Sequence, residues 1–192
     1  MYRSRVLTIV LVLMVFLASC TPAKTNTPKV LLILQEYSES MDIVLKNEVG
    51  VMAKMIEDAG YKVVYSSKSG KTIGSGDSAI TPDLKLSDVN IDDYVGLILP
   101  CMANSSISFD LEMTELVSAA AAAGMPIAAQ RAAVKYLNAA QVSAVSYSDP
   151  KVVQEGKIIT SGICPYAALK GLGKDETQEL TQNFFEVLKS SS

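Results

Sequence analysis

Residues 30–34, VLLIL, are apolar without interruption, and the runs YKVVYSS (61–67), YVGLILP (94–100), PIAAQ (126–130) and KIITSG (157–162) follow at intervals. Strands with one wet face alternate apolar and polar positions. Continuous apolar runs of this length are expected of strands buried on both faces. Between them the period changes. Met41, Val44, Leu45, Met52, Met55 and Ile56 recur at helical spacing up to Gly60, a residue suited to the left-handed position that closes a helix. A second helix is predicted over 109–123, closed by Gly124, a short one over 132–140, and a last one over 175–189. The segment 68–89 is rich in turn residues and reads as a hairpin or an irregular excursion. Regular alternation of buried strands and helices predicts an α/β fold, a flavodoxin-like three-layer sandwich with a mostly parallel sheet and helices on both faces. Ligands in such sheets sit beyond the carboxyl ends of the strands. Here those ends are 35–38, 101–104, 130–132 and 162–165.

The first twenty residues have a different pattern. Arg3 and Arg5 precede an apolar run of 12 residues from Val6 to Leu17, too short for the roughly 20 a membrane-spanning helix needs. This is the shape of a secretory signal. Leu17, Ala18, Ser19 and Cys20 resemble a bacterial lipobox, whose cysteine is acylated and becomes the mature N-terminus. The simpler alternative is an ordinary signal followed by a chance cysteine. Each buried acyl methylene contributes about 0.8 kcal/mol, so several chains would hold the protein at the membrane. Residues 21–29, TPAKTNTPK, read as a polar tether. The expected organisation is a signal peptide over 1–19, a lipidated tether over 20–29 and one domain over 30–192. The domain is then extracytoplasmic, in a bacterial cell envelope, with the membrane as its partner through Cys20.

Composition narrows the chemistry. The chain has no histidine, which excludes His-based triads, HExxH metal sites and imidazole proton shuttles. Neither a metal nor a cofactor is expected. Of 17 basic residues Arg3 and Arg5 leave with the signal, so 15 stand against 20 acidic ones, without any basic cluster. Nucleic acid is not an expected partner. SGKT (69–72) lacks the first glycine of a P-loop, since position 65 is Tyr65. Gly74, Gly76 and Ala79 match a dinucleotide fingerprint in spacing, but ITPD follows them instead of a helix. They read as turn chemistry. Asn104-Ser105-Ser106 is a formal glycosylation sequon and reads as polar loop. Glu36, Glu39 and Asp42 stand near the start of the first helix, where acidic groups suit the helix dipole.

PDLKLSDVNIDDYVGLILP, then AAGMPIAA, then VVQEGKIITSG together resemble the ThiJ/PfpI family, whose members share a class I glutamine amidotransferase-like fold and include the PfpI protease and the Parkinson-associated deglycase. The resemblance spans about residues 30–172 in order. It implies a pair of glycines after the third strand, a cysteine nucleophile at the strand-to-helix elbow and a glutamate from the helix after the first strand. Here the glycine positions are Cys101 and Met102, and the elbow, Ala129-Gln130-Arg131-Ala132-Ala133, carries Arg131 where the family has cysteine. The family's acidic setting falls on Glu39-Ser40-Met41-Asp42, which leaves Asp42 as the surviving acid.

A guanidinium is neither a nucleophile nor a practical proton shuttle, because its pKa lies above about 12. Arg131 is therefore expected to face Asp42, as a structural ion pair or as the receiver of an anionic ligand, with Glu36, Cys101 and Asn104 on the rim. The expected function is a non-catalytic small-anion-binding or structural module with no catalytic residue. The alternative is a cysteine-dependent hydrolase or deglycase whose nucleophile has moved to Cys101. A third reading is an envelope assembly subunit using the last helix, with its Phe184 and Leu188. Dimeric relatives imply a homodimer. Cys101 and Cys164 end the third and fifth strands, two strand spacings of about 4.8 Å apart. That exceeds the disulfide limit of about 7 Å unless the loops lean inward, so no disulfide is expected.

Overall fold

The computed structural model describes residues 27–101, 111–142 and 150–191. The sheet contains β1 (Lys29–Leu34), β2 (Lys62–Ser67), β3 (Leu84–Lys85), β4 (Gly96–Leu99), β5 (Ile127–Gln130), β6 (Val153–Glu155) and β7 (Ile158–Ser161). Their spatial order is β3-β2-β1-β4-β5-β7-β6. All neighbours are parallel except β6 and β7. The five apolar runs are β1, β2, β4, β5 and β7, and they lie in the flavodoxin-like order. The sequence pattern did not reveal the two short edge strands.

Helices cover both faces. α1 (Met41–Val44) passes through a π-helical turn, Leu45–Val49, into α2 (Gly50–Asp58). α3 (Leu111–Ala122), α4 (Val134–Ala139), α5 (Pro165–Leu169) and α6 (Thr177–Ser190) follow. Successive strand side chains point to opposite faces, and β1 sorts accordingly. Val30, Leu32 and Leu34 pack with Val44, Leu45, Met52, Ile56, Leu180 and Phe184 from α1, α2 and α6. Leu31 and Ile33 pack with Met113, Val117, Val134 and Leu137 from α3 and α4. Both faces of the strand are dry, as its unbroken apolar run requires.

α6 lies against β4 so closely that a Cβ added at Gly96 would stand 2.4 Å from Phe184 Cζ. Phe184 is fully buried and Leu188 nearly so. Such residues are more often core than assembly face, and here they are core: the helix turns them onto the sheet to cover β4. Gly74 and Gly76, both with positive φ, bend a small hairpin closed by the Ile73–Ile80 bridge, so the fingerprint-like glycines are turn residues. Among the described residues no helix is long and apolar enough to cross a membrane. The apolar run 6–17, the 20–26 part of the tether, Asn104 and residues 109–110 lie outside the described residues.

Candidate functional site

β5 delivers Gln130 to the end of the sheet, and the chain then turns sharply through Arg131 into a 3-10 turn and α4. Arg131 has φ 47. A non-glycine residue held there costs on the order of 1–3 kcal/mol unless its surroundings enforce it. The strained elbow is thus built, with arginine at its apex. The half-buried guanidinium donates from Nη1 to the Gly162 carbonyl at 2.9 Å, clasping the elbow to the loop after β7.

That loop, residues 162–164, is held by further bonds. Gly162 N and Ile163 N both donate to Glu176 Oε2 at 3.0 Å, and Glu176 N donates to the Ile163 carbonyl at 3.0 Å. Gln130 Nε2 donates to the same carbonyl and to Thr177 Oγ1, each at 3.1 Å. Burial pushes the Glu176 carboxyl above its ordinary value, despite the two backbone donors that favour its charged form.

The fixed loop presents Cys164 to Cys101, the second residue after β4. Both are free and buried, in a small cluster with Ala132, Ile163 and Ala167. They share this cluster closely enough to perturb each other's ionisation. The two cysteines, which strand spacing placed too far apart for a disulfide, share one cluster and are both free. Cys101 N donates to Oε1 of the fully buried Glu48 at 2.6 Å. The pair is electrically unequal. The interaction with Cys164, burial and the Glu48 carboxylate push the Cys101 thiol well above its ordinary value. The Cys164 thiol is lowered to about 7 by the interaction with Cys101, with the Ala167 and Tyr166 amides and the Arg131 charge outweighing burial.

The site residues expected from the sequence are only partly brought together. Arg131 and Cys101 border the same cluster. Asp42 does not face Arg131: it is exposed and accepts a hydrogen bond from Ser78 Oγ at 3.1 Å, in a cleft of about 1190 Å³ between the α1–α2 segment and the 75–80 hairpin. The reason is helical phase. Asp42 lies on the outer side of α1, and the π-helical turn carries Glu48 inward instead. Glu36 turns toward β2, where its carboxylate accepts from Ser67 Oγ at 2.9 Å and from Ser69 N. Burial raises its carboxyl, but these donors and Lys71 lower it further, to a net value below the ordinary one. Among the described residues Arg131 forms no salt bridge, and no cluster of three or more potential ligands could hold a metal.

Sequence reasoning missed Glu48, Glu176 and the role of Cys164. Glu48 left a signal, a carboxylate at helical spacing within the apolar stripe between Leu45 and Met52. A charge there is either buried for a purpose or misplaced.

The resemblance in the sequence implied a strand-to-helix elbow, and the structure builds one, adding a positive φ at Arg131 and a loop locked to it. The family model described as DJ-1/PfpI family matches residues 28–145, more than half of the chain. The chain belongs to the DJ-1/PfpI family. Among solved structures, the ThiJ/PfpI domain protein from Brachyspira murdochii is similar at TM-score 0.64 and 18% identity, over 88% of this chain and 100% of that one. Drosophila melanogaster DJ-1beta is similar at TM-score 0.55 and 22% identity, over 83% and 98%. A DJ-1 superfamily protein from Agrobacterium tumefaciens gives TM-score 0.56 and 16% identity, over 82% and 97%. Likeness at these identities speaks to the fold. No curated protein matches the sequence. Within this family fold, the described residues place arginine at the elbow and two free, buried cysteines in one cluster beside it.

Proposed function

We propose that this chain is a membrane-tethered, extracytoplasmic DJ-1/PfpI-family domain in which the elbow receives a small anion instead of performing nucleophilic catalysis. The observation that carries this reading is the state of Arg131. Its guanidinium is half-buried at the strand ends, bonded to a backbone carbonyl and in salt-bridge contact with no carboxylate among the described residues. A guanidinium has five N–H donors in a fixed fork that suits carboxylates and phosphates. A cation that pairs with no carboxylate among the described residues and has donors to spare is complementary to an anion. The structural ion pair with Asp42 is withdrawn, because Asp42 lies elsewhere.

The alternative, a hydrolase or deglycase-type enzyme with Cys101 as nucleophile, is weakened by the same site. The thiolate is the reactive species, and burial beside Glu48 disfavours it at Cys101. A cysteine-dependent turnover lost in a Cys101→Ala, Cys164→Ala double variant would restore that reading.

Thermal denaturation in the presence of phosphate, acetate or citrate tests the proposal. An anion present at 100 times its Kd should stabilise the fold by about 2.7 kcal/mol. Arg131→Ala should abolish that shift, and Arg131→Lys should retain only part of it, since lysine cannot bind in fork geometry. Equal stabilisation of the wild type and Arg131→Ala, or no stabilisation by any of the three anions, would overturn it.

A further inference from the structure

Binding an anion at Arg131 uses neither sulfur, yet the fold aims the two at each other. Cys101 is held through its amide by Glu48. Cys164 is held by a loop tied at Gly162 and Ile163 to Glu176, Gln130 and Arg131. The two cysteines share one small buried cluster with Ala132, Ile163 and Ala167. Two elements distant in sequence are thus rigidly converged on one pair of sulfurs. Packing alone would be served as well by alanine or valine.

We propose that Cys101 and Cys164 form a reversible dithiol–disulfide couple oxidised by hydroperoxides. Exposures of 1% for Cys101 and 0% for Cys164 select an oxidant as small as hydrogen peroxide over a bulky disulfide. Cys164 attacks, since the Tyr166 and Ala167 amides and the Arg131 charge favour its thiolate. Its sulfur bonds to one peroxide oxygen as the O–O bond breaks, giving a sulfenic acid and a hydroxide that takes up the proton Cys164 released. The Cys101 sulfur then attacks the sulfenyl sulfur. The S–S bond forms, the S–O bond breaks, and the departing hydroxyl leaves as water with the Cys101 proton. The two cysteines together lose two electrons, and one peroxide becomes two waters. A neighbouring thiol intercepts the sulfenic acid before a second peroxide carries it to the irreversible sulfinic stage. A dithiol reductant returns both thiols by exchange.

Peptide mapping of the full chain by mass spectrometry, without reduction, after one equivalent of hydrogen peroxide, tests this. The expected product is a peptide pair joined through Cys101 and Cys164, lighter by two hydrogens than the reduced pair and restored by dithiothreitol. Mapping by peptide keeps Cys20 out of the count. In Cys101→Ser the reaction should stall at Cys164, where dimedone should trap about tenfold more sulfenic acid than in the wild type. Should that variant not fold, the wild-type map decides alone. Cys164 passing to sulfinic or sulfonic acid while Cys101 remains alkylatable would overturn the proposal, as would two thiols that stay reduced.

Discussion

The mutual interaction of Cys101 and Cys164 separates two chemically identical side chains, with the Glu48 charge adding to it at Cys101 and the Arg131 charge at Cys164. The Cys164 thiolate should therefore persist down to a pH near 7, whereas an unperturbed cysteine is half ionised at about 8.5. The sign follows from a lowered value: reactivity is fully present above the ordinary range and is lost as the pH falls through about 7. The rate at which hydrogen peroxide oxidises Cys164, followed against pH, should show that midpoint. Cys101→Ala removes the largest lowering influence and should move the midpoint up, whereas Cys101→Ser retains a donor and should hold it lower. An unchanged midpoint in Cys101→Ala would mean that the thiol–thiol interaction contributes nothing. Little of this was legible in the sequence. Arg131 and Cys101 could be placed at strand ends by counting along β4 and β5. The partner of each depended on the phase of one helix and the course of one loop, and neither is encoded in hydrophobic period.

Elements were legible in proportion to how continuously apolar they are. β1, β2, β4, β5 and β7 stood out because a strand buried on both faces has no polar position to interrupt it. β3 and β6 are two and three residues long and lie at the edges, with nothing in their pattern to distinguish them from loop. The π-helical turn was equally silent, since one extra residue per turn changes a phase without changing composition. Its counterpart across the site, the loop after β7, depends on Glu176. A carboxyl raised by burial favours the fold below its ordinary pKa and loses that contribution as the pH rises through the raised value. Glu176→Gln keeps an acceptor for Gly162 and Ile163 and should flatten this slope in urea denaturation between pH 4 and 7. Glu176→Ala leaves both buried amides unpaired and should cost about 1–3 kcal/mol per lost partner. Equal stabilities of the two variants at pH 7 would show that the loop is held by something else. Further along α6, whose N-terminus Glu176 flanks, Gly96→Ala drives a methyl into the Phe184 ring. It should cost about 1–3 kcal/mol by overpacking, and an unaffected denaturation midpoint would contradict the close contact of α6 with β4.

For the whole molecule, the question is where this domain works, and the sequence before β1 provides the expectation. With Cys20 as the mature N-terminus, nine residue-to-residue steps separate the anchor from β1 at Lys29. At 3.3–3.6 Å each they reach about 30 Å when extended, which keeps the domain within roughly its own diameter of the bilayer. The mature chain carries more acidic than basic residues, so attraction to anionic headgroups cannot supply the attachment. On this expectation adhesion would rest on acyl chains, whose contribution is apolar and unaffected by salt. The native protein should therefore sediment with membranes through washes in molar salt and be released by detergent. Cys20→Ala should move it into the aqueous fraction or leave an unprocessed precursor, with the fold of residues 30–192 unaltered. Mass spectrometry of the membrane form should find an acylated Cys20 at its N-terminus. A mature protein that still contains unmodified residues 1–19, or one that salt alone releases, would remove the anchor. The thiol pair and Arg131 would then have to be explained in a compartment whose redox poise keeps dithiols reduced.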